Sequence, residues 1–294
     1  MPRQGRRTAA SRNAMGTLYV VATPIGNLED ISLRALRVLR ESPLIAAEDT
    51  RHTRKLLNHF NITTRAISYH QHSPAARVEA ILAALAAGDV ALVTDAGMPG
   101  IADPGQALVA ATLAAGFPVV PVPGATALIA ALAASGLPSE QFTFLGFLPR
   151  RGAERRELLA RVTSLPHTLI CYEAPHRLLA CLDDLATVLG DRPAALAREL
   201  TKVHEEVRRG SLVALRAAVA QAGPRGEYTV LVAGAPASVE RAAAPEAAVR
   251  ARLAALLAGG ASTRDAARLV AAELGVPQRD AYRLALALDA RERR

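Results

Sequence analysis

Four stretches of the chain combine charged residues with glycine or proline in patterns that could bind or transform a ligand. The first is LVTDAGMPGIADPG, residues 92–105, where an apolar run gives way to two carboxylates, three glycines and two prolines. Glycine lets the backbone approach a ligand closely, and proline fixes the direction of the chain. Taken alone, this stretch also fits an ordinary strand-to-helix loop.

The other three stretches carry different side chains. VVATPIGNLEDIS, residues 20–32, has neither the G-x-G-x-x-G pattern of a dinucleotide site nor the lysine of a phosphate-binding loop. LIAAEDTRHTRKLL, residues 44–57, places two acids, an arginine and a histidine directly after an apolar run. ARELTKVHEE, residues 197–206, groups three acids around one of the two lysines in the chain.

Alternating strands and helices position the first three stretches. The predicted strands are Thr17–Ala22, Leu44–Ala47, Val90–Thr94 and Pro118–Val122, and the predicted helices run from the Ser32 cap to Glu41, over Thr53–Phe60, from Ser73-Pro74 to Ala87, and over Pro104–Ala115. This order predicts a mostly parallel α/β sheet. Because parallel strands end at one edge of their sheet, the charged and glycine-rich loops are expected to converge there.

A second α/β unit is expected after Pro123-Gly124. Its predicted strands are Phe142–Leu145, Thr168–Tyr172, Ala194–Arg198, Glu205–Arg209 and Tyr228–Val232, with the last two antiparallel in a mixed sheet. The predicted boundaries are a disordered basic arm over 1–15, an N-terminal α/β domain over 16–122, a C-terminal α/β domain over 123–236 and a helical extension over 237–294.

The helical extension is rich in alanine and arginine and shows no strand pattern. Two helices are predicted around a junction at Leu274-Gly275, with Ser262 or Thr263 capping the first and Pro277 in the first turn of the second. The spacing permits a helix-turn-helix, but such a pair also commonly packs on the body of a protein or on a partner subunit. We expect these helices to dock in that way and to extend a surface that faces a polyanionic partner.

Composition excludes several classes of protein. No apolar stretch is long enough to span a bilayer, and the N-terminal arginines precede no apolar signal region. The two cysteines form neither a metal-binding spacing nor a disulfide framework, so no metal is expected and the chain is read as cytoplasmic. The formal charge of +8 is compatible with a polyanionic partner or with a merely basic protein.

The motifs TPIGNLEDIS-RAL, AEDTRHT, TDAGMPGIADPG, PGATALIAALAASGLP, FLGFLP and ARELTKVHEE occur in this order. Together they resemble the bacterial ribosomal RNA small subunit methyltransferase I family, the 16S rRNA cytidine 2′-O-methyltransferases of the tetrapyrrole methylase superfamily. The resemblance covers residues 16–234. Met98 and Gly100 depart from it, since the family usually has threonine and a larger residue at these positions.

The resemblance implies the two-domain tetrapyrrole methylase fold with a small C-terminal helical extension, a homodimer, and S-adenosyl-L-methionine bound in the cleft between the α/β domains. The glycine loop would present N–H groups to the cofactor carboxylate, and Asp95 would face its ammonium group. Asp103 is interpreted instead as a helix cap. The implied cofactor residues are Thr23, Pro24, Ile25, Gly26, Asp95, Ala96, Gly97, Met98, Ile101, Ala102, Ala125, Thr126 and Tyr172.

Methyl transfer to a ribose hydroxyl requires a group that takes the proton as the new bond forms. The candidates are Glu48, Asp49, His52, Glu199, Lys202 and Glu205, each of which could instead belong to a structural ion pair. The residues expected to hold phosphates of 16S rRNA in the small ribosomal subunit are Arg51, Arg54, Arg150, Arg151, Arg155 and Arg156. The patch from Arg150 to Arg156 also fits a solvated helix start.

Two other functions remain open at the level of sequence. A methylase of tetrapyrrole rings would share the fold, and its polyacidic substrate would also suit arginines. A non-enzymatic RNA-binding assembly factor would share the positive charge. The AEDTRHT and RELTKVHEE motifs favour the RNA methyltransferase over the ring methylases.

Overall fold

The computed structural model describes residues 15–236, 245–274 and 276–292 of the chain. The chain forms two compact units that divide between Gly234 and Ala235. Except for Met15, the basic arm predicted over residues 1–15 lies outside the described residues, as does Gly275 of the predicted helix junction.

The N-terminal half of the first unit is a five-stranded parallel sheet with helices between its strands. The strands are β1 (Leu18–Val21), β2 (Leu44–Ala47), β3 (Arg65–Ser68), β4 (Val90–Val93) and β5 (Val119–Val122), in the order β3-β2-β4-β1-β5. The helices are α1 (Leu33–Glu41), α2 (Thr50–His59), α3 (Ala75–Ala87) and α4 (Gln106–Ala114). Parallel pairing throughout brings the loops after these strands to one edge of the sheet.

Helix caps explain where the predicted boundaries hold and where they shift. The Ser32 hydroxyl accepts a hydrogen bond from the Ala35 N–H and starts α1 as predicted. Helix α2 begins three residues before the predicted start because the Asp49 side chain caps it. The helix predicted from Ser73-Pro74 begins at Ala75, and the Ser73 hydroxyl accepts from the His70 N–H in the preceding loop. Strand β3 was not predicted.

The C-terminal half of the first unit is a mixed sheet, as predicted. Its strands are β6 (Phe142–Phe147), β7 (Thr168–Glu173), β8 (Pro193–Arg198), β9 (Glu206–Ser211) and β10 (Tyr228–Val232), in the order β6-β7-β10-β8-β9. Strand β10 is antiparallel to both β7 and β8, and β9 is antiparallel to β8. One face packs on α5 (Ala127–Ser135), and the other packs on α6 (Gly152–Val162), α7 (Pro175–Leu189) and α8 (Leu212–Ala222).

The second unit contains three helices, α9 (Glu246–Ala258), α10 (Thr263–Leu274) and α11 (Gln278–Glu292). They share an apolar core in which Leu253, Val270 and Ala285 are fully buried. Ser262 caps α10, because its hydroxyl accepts from the Asp265 N–H. Leu269 of α10 lies outside this core and is 46% exposed. The unit therefore has a core of its own.

Candidate active site

A cavity of about 550 Å³ lies between the two halves of the first unit. The N-terminal half contributes the loops after β1 and β4, and the C-terminal half contributes α5, the β7–α7 junction and the β8–β9 loop. Eight of the thirteen residues predicted for the cofactor line it: Ile25, Ala96, Gly97, Met98, Ile101, Ala102, Thr126 and Tyr172. Thr23, Pro24, Gly26, Asp95 and Ala125 are not among its lining residues.

Backbone hydrogen bonds hold the loops after β1 and β4 together. The N–H of Thr23 donates to the Gly97 carbonyl at 2.9 Å, and the N–H of Gly97 donates to the Thr23 carbonyl at 3.1 Å. Gly97 has φ = +81°, a left-handed conformation that favours glycine. Gly100 shares this conformation, so the larger family residue would be strained here. The glycine-rich and proline-rich segment 92–105 thus forms part of one wall of the cavity.

Asp95 connects two strand exits instead of lining the cavity. Its Oδ1 accepts from the Asp49 N–H at 3.2 Å, and its own N–H donates to Glu48 Oε2 at 3.3 Å. Burial raises the pKa of Glu48, and the Asp95 charge adds to this effect. The proton-acceptor candidates Glu48, Asp49 and His52 likewise do not line the cavity. Hydrogen bonds from Arg51 lower the pKa of Asp49 and keep it ionised as the cap of α2.

Asp103 is not the helix cap that the sequence suggested. Helix α4 begins at Gln106, its cap position is Gly105, and no side chain caps it. Asp103 lines the cavity instead. Burial raises its pKa to about 6, and the nearby charges of Glu48 and Asp95 act in the same direction. A cationic group bound beside Asp103 would stabilise its ionised form, which burial and the neighbouring acids disfavour.

On the opposite wall, the β8–β9 loop brings Glu199 and Lys202 to the cavity. Both are among the predicted proton-acceptor candidates. Lys202 Nζ lies 3.0 Å from Glu199 Oε1 and 2.8 Å from Glu227 Oε2. The Glu227 N–H also donates to Glu199 Oε1, at 2.9 Å. Glu205, the other candidate on this loop, instead accepts from the Thr201 N–H. Glu227, which sequence reasoning missed, therefore belongs to the same ion network.

The backbone of this loop is strained and tightly enclosed. Glu199 and Thr201 have φ of +50° and +66°, and strain at non-glycine residues concentrates at functional sites. A Cβ on Gly26 would lie 2.5 Å from Lys202 Cγ, so the loop after β1 packs closely against the β8–β9 loop. A Cβ on Gly226 would meet the Glu199 side chain at a similar distance. These two glycines permit neighbouring segments to approach the β8–β9 loop closely.

The ion network fixes the charge of both candidates. The hydrogen bond from the Glu227 N–H lowers the pKa of Glu199, and Lys202 lowers it further. For Lys202, burial acts to lower the pKa, but the hydrogen bonds to Glu227 and Glu199 outweigh it and leave the pKa raised. Glu199 is therefore a carboxylate at neutral pH, and Lys202 is an ammonium ion that has no free pair for a proton.

Aromatic side chains form part of the remaining wall. The Tyr172 hydroxyl accepts from the Leu128 N–H at 3.1 Å, in the first turn of α5, whose cap is the predicted residue Thr126. Phe147 packs against Tyr172, lines the cavity and is 56% exposed. Phe147, which lies in the FLGFLP motif at the end of β6, and the lining residue His176 were not predicted to belong to the site.

The predicted RNA-binding arginines fall into two groups. Arg51, Arg54, Arg150 and Arg151 are exposed. Arg155 does not fit the predicted phosphate contact, because its side chain is only 6% exposed and donates to Asp184 Oδ2 at 2.7 Å. Arg156 is half exposed and contacts the other oxygen of the same carboxylate. The start of α6 is thus anchored by arginines that the sequence placed on the surface.

Two other kinds of feature are absent from the described residues. Within the described ranges, no group of three or more histidine, cysteine, aspartate or glutamate side chains is arranged to hold a metal ion. No helix in that part of the chain is long and apolar enough to cross a membrane.

The fold matches that of a known class of enzymes. The sequence profile described as Tetrapyrrole (Corrin/Porphyrin) Methylases matches residues 17–216. A solved cobalt precorrin-4 methyltransferase, CbiF, has a TM-score of 0.57 at 16% identity, over 76% of this chain and 98% of that one. A Thermus thermophilus uroporphyrin-III C-methyltransferase complexed with S-adenyl homocysteine has a TM-score of 0.51 at 21% identity, over 74% and 97% of the two chains. The protein is a tetrapyrrole methylase by fold.

Curated relatives define the family more narrowly. Ribosomal RNA small subunit methyltransferase I of Synechocystis sp. is 50% identical over 278 residues, which cover 94% of this chain and 99% of the relative. The protein of the same name from Escherichia coli O157:H7 is 45% identical, over 93% and 96% of the two chains. The chain belongs to the ribosomal RNA small subunit methyltransferase I family, and it is a methyltransferase.

Proposed function

We propose that this protein transfers a methyl group from S-adenosyl-L-methionine to the ribose 2′-hydroxyl of a cytidine in 16S rRNA of the small ribosomal subunit. The observation that carries the proposal is the cavity between the two halves, where predicted cofactor residues face the Glu199–Lys202 pair. The names of the curated relatives support the ribosomal substrate.

The cavity residues suit this cofactor in size and charge. The cavity volume of about 550 Å³ lies within the usual range of small-molecule sites. The cofactor carries an ammonium and a sulfonium, and the lining includes the carboxylates of Asp103, Glu199 and Glu227. Ile25, Met98 and Leu128 add apolar surface for the adenosyl part. We propose that Asp103, in place of Asp95, holds the ammonium group of the cofactor.

The cofactor supplies a methyl group that is already activated, so the protein must orient the ribose and receive its proton. Glu199 is the best acceptor among the candidates, because it is ionised and lines the cavity. Both of its hydrogen bonds from the described residues end on Oε1, which leaves Oε2 for an incoming hydroxyl. Lys202 fixes the carboxylate by its contact with Oε1 and serves as a positioning group.

This end of the cavity is accessible to a large substrate. The Glu227 side chain is 82% exposed, although it is part of the network that holds Lys202. An RNA strand can therefore bring a ribose to Glu199 while the bulk of the nucleic acid stays outside. Extrusion of a nucleotide into a pocket is the usual way in which enzymes reach a target in structured nucleic acid.

Phosphate binding is proposed for exposed arginines outside the cavity. Arg51 and Arg54 lie on α2 together with exposed Lys55, and the acid that pairs with this group is the cap residue Asp49. Arg150 and Arg151 precede α6. We further propose that the protein acts in the cytoplasm and that it forms a homodimer. Sedimentation of the purified protein would test the oligomeric state.

The function is tested by supplying labelled S-adenosyl-L-methionine together with small ribosomal subunits, naked 16S rRNA or uroporphyrinogen III. The subunits come from cells in which the gene is deleted, so that the target is unmodified. The expected result is label in the subunit, at one cytidine whose 3′ phosphodiester resists alkali because the 2′-hydroxyl is blocked. Glu199→Gln serves as the matched inactive control.

Other outcomes would separate the alternatives. Label in the tetrapyrrole would identify a ring methylase. Tight binding to the subunit without any transfer would identify an assembly factor. Label on a base, or on a nucleotide other than cytidine, would contradict the proposed reaction while leaving the methyltransferase assignment intact.

A further inference from the structure

Helix α11 of the second unit has two opposite faces, and only one of them is used for packing. Ala281 and Ala285 are fully buried, and Leu284 and Leu288 pack against the same core of α9 and α10. These positions follow the i, i+3, i+4, i+7 spacing of one helix face. The three helices therefore need nothing from the other face of α11 to form their core.

The opposite face carries a second set at the same spacing, offset by two residues from the first. Its members are Arg279, Tyr282, Arg283 and Leu286, all of which are exposed. An offset of two residues is a rotation of about 200° around a helix, so the two sets point in opposite directions. We call these four residues the α11 stripe.

The stripe combines aromatic surface with positive charge. Tyr282 is 42% exposed and Leu286 is 47% exposed, in a chain that has five tyrosines and no tryptophan. Arg283 makes one contact with a carboxylate, at 3.4 Å from Asp280 Oδ1, and its side chain remains 78% exposed. Arg279 has no ion pair among the side chains that the structure describes.

We propose that the α11 stripe binds an unpaired segment of ribosomal RNA, with a base stacked on Tyr282 and phosphates held by Arg279 and Arg283. This inference rests on the proposed function, because it takes the RNA as substrate. The charge and the single flat aromatic ring favour RNA over a protein partner, since aromatic side chains flanked by arginines are the usual platform for unpaired bases.

The test compares full-length variants in binding to unmodified small subunits. Tyr282→Ala is expected to weaken binding about tenfold, and Tyr282→Phe is expected to restore it, because the ring and not the hydroxyl stacks. Arg279→Ala with Arg283→Ala is expected to flatten the log–log salt dependence of binding by about 1.4, or 0.7 for each phosphate on a single strand. Affinity for S-adenosylhomocysteine is expected to stay unchanged.

Arg250→Ala with Arg268→Ala is the matched control, because both arginines are exposed on other helices of the same unit and pair with neighbouring acids. An unchanged affinity and salt slope for the stripe variants would overturn the proposal. Altered sedimentation with unchanged RNA affinity would also overturn it and would show that the stripe contacts protein. If the wild-type protein fails to methylate the subunit at all, the proposed function fails first, which distinguishes the two failures.

Discussion

The lining of the cavity and the outer surface of α2 carry opposite charges. Asp103, Glu199 and Glu227 line the cavity, and Lys202 pairs with the last two. Helix α2 instead exposes three basic residues, Arg51, Arg54 and Lys55. The acids suit a cationic cofactor, and the bases suit phosphates. The net charge of +8 therefore hides a difference between an acidic cavity and a basic outer surface, which have separate tasks.

The largest effect is expected at the proton acceptor. Glu199→Gln keeps the shape of the side chain but removes its charge, so methyl transfer to the subunit should fall by roughly 10²–10⁴-fold. Affinity for S-adenosylhomocysteine should change little, as calorimetry would show. Glu227→Gln is the control, since this acid contacts the same lysine from solvent. Equal losses in both variants would mean that the network as a whole, and not Glu199, is required.

The next effect concerns an arginine that belongs to neither charged surface. Arg155→Ala leaves Asp184 without its main buried partner and should lower the free energy of unfolding by about 3 kcal/mol. Arg151→Ala, at an exposed position nearby, should change it by less than about 0.5 kcal/mol. Chemical denaturation measures both. Equal stability of the two variants would contradict the structural role given to Arg155.

Asp103→Asn tests which carboxylate faces the cofactor. We expect affinity for S-adenosylhomocysteine to fall by about 1.5–3 kcal/mol, the usual contribution of a hydrogen bond to a charged group. Asp95→Asn should have a smaller, indirect effect, because Asp95 joins the loops behind the cavity. A larger loss for Asp95 would restore the assignment that the sequence favoured.

Cofactor affinity should also depend on pH between about 5 and 7. The pKa of Asp103 is raised to about 6, so the group is ionised above that pH and neutral below it. Affinity for S-adenosylhomocysteine should therefore weaken as the pH falls through 6. Glu48 and Asp95 lie nearby, and Asp103→Asn separates their contribution. A pH dependence that persists in this variant would assign the effect to another group.

The smallest effect is expected on the basic surface. Arg51→Ala with Arg54→Ala should reduce the salt slope of subunit binding by about 1.4 and leave cofactor affinity unchanged. Filter binding over a range of salt concentrations measures it. Arg37→Ala, an exposed arginine paired with Glu41 on α1, is a control for general loss of charge. An unchanged slope would mean that Arg51 serves mainly to hold Asp49.

The sequence was most informative where function leaves a local pattern. The family resemblance carried by the TDAGMPGIADPG motif implied residues 96–98, 101 and 102, all of which line the cavity. Local pattern failed at Asp103, where a carboxylate before proline looks like a cap although the helix starts later. It also failed at Arg155, because its partner Asp184 is 29 residues away. Glu227 reaches the cavity only because β10 lies beside β8 in the sheet.

The separation of the two charged surfaces is tested most directly by titrating the wild-type protein with each ligand at rising salt. S-adenosylhomocysteine is expected to show a log–log slope near zero, because a small neutral ligand in a protected cavity releases few counterions. Small subunits are expected to show a steep negative slope that corresponds to several phosphate contacts. Similar slopes for the two ligands would contradict the account, since the cavity and the arginine surface would then not act separately.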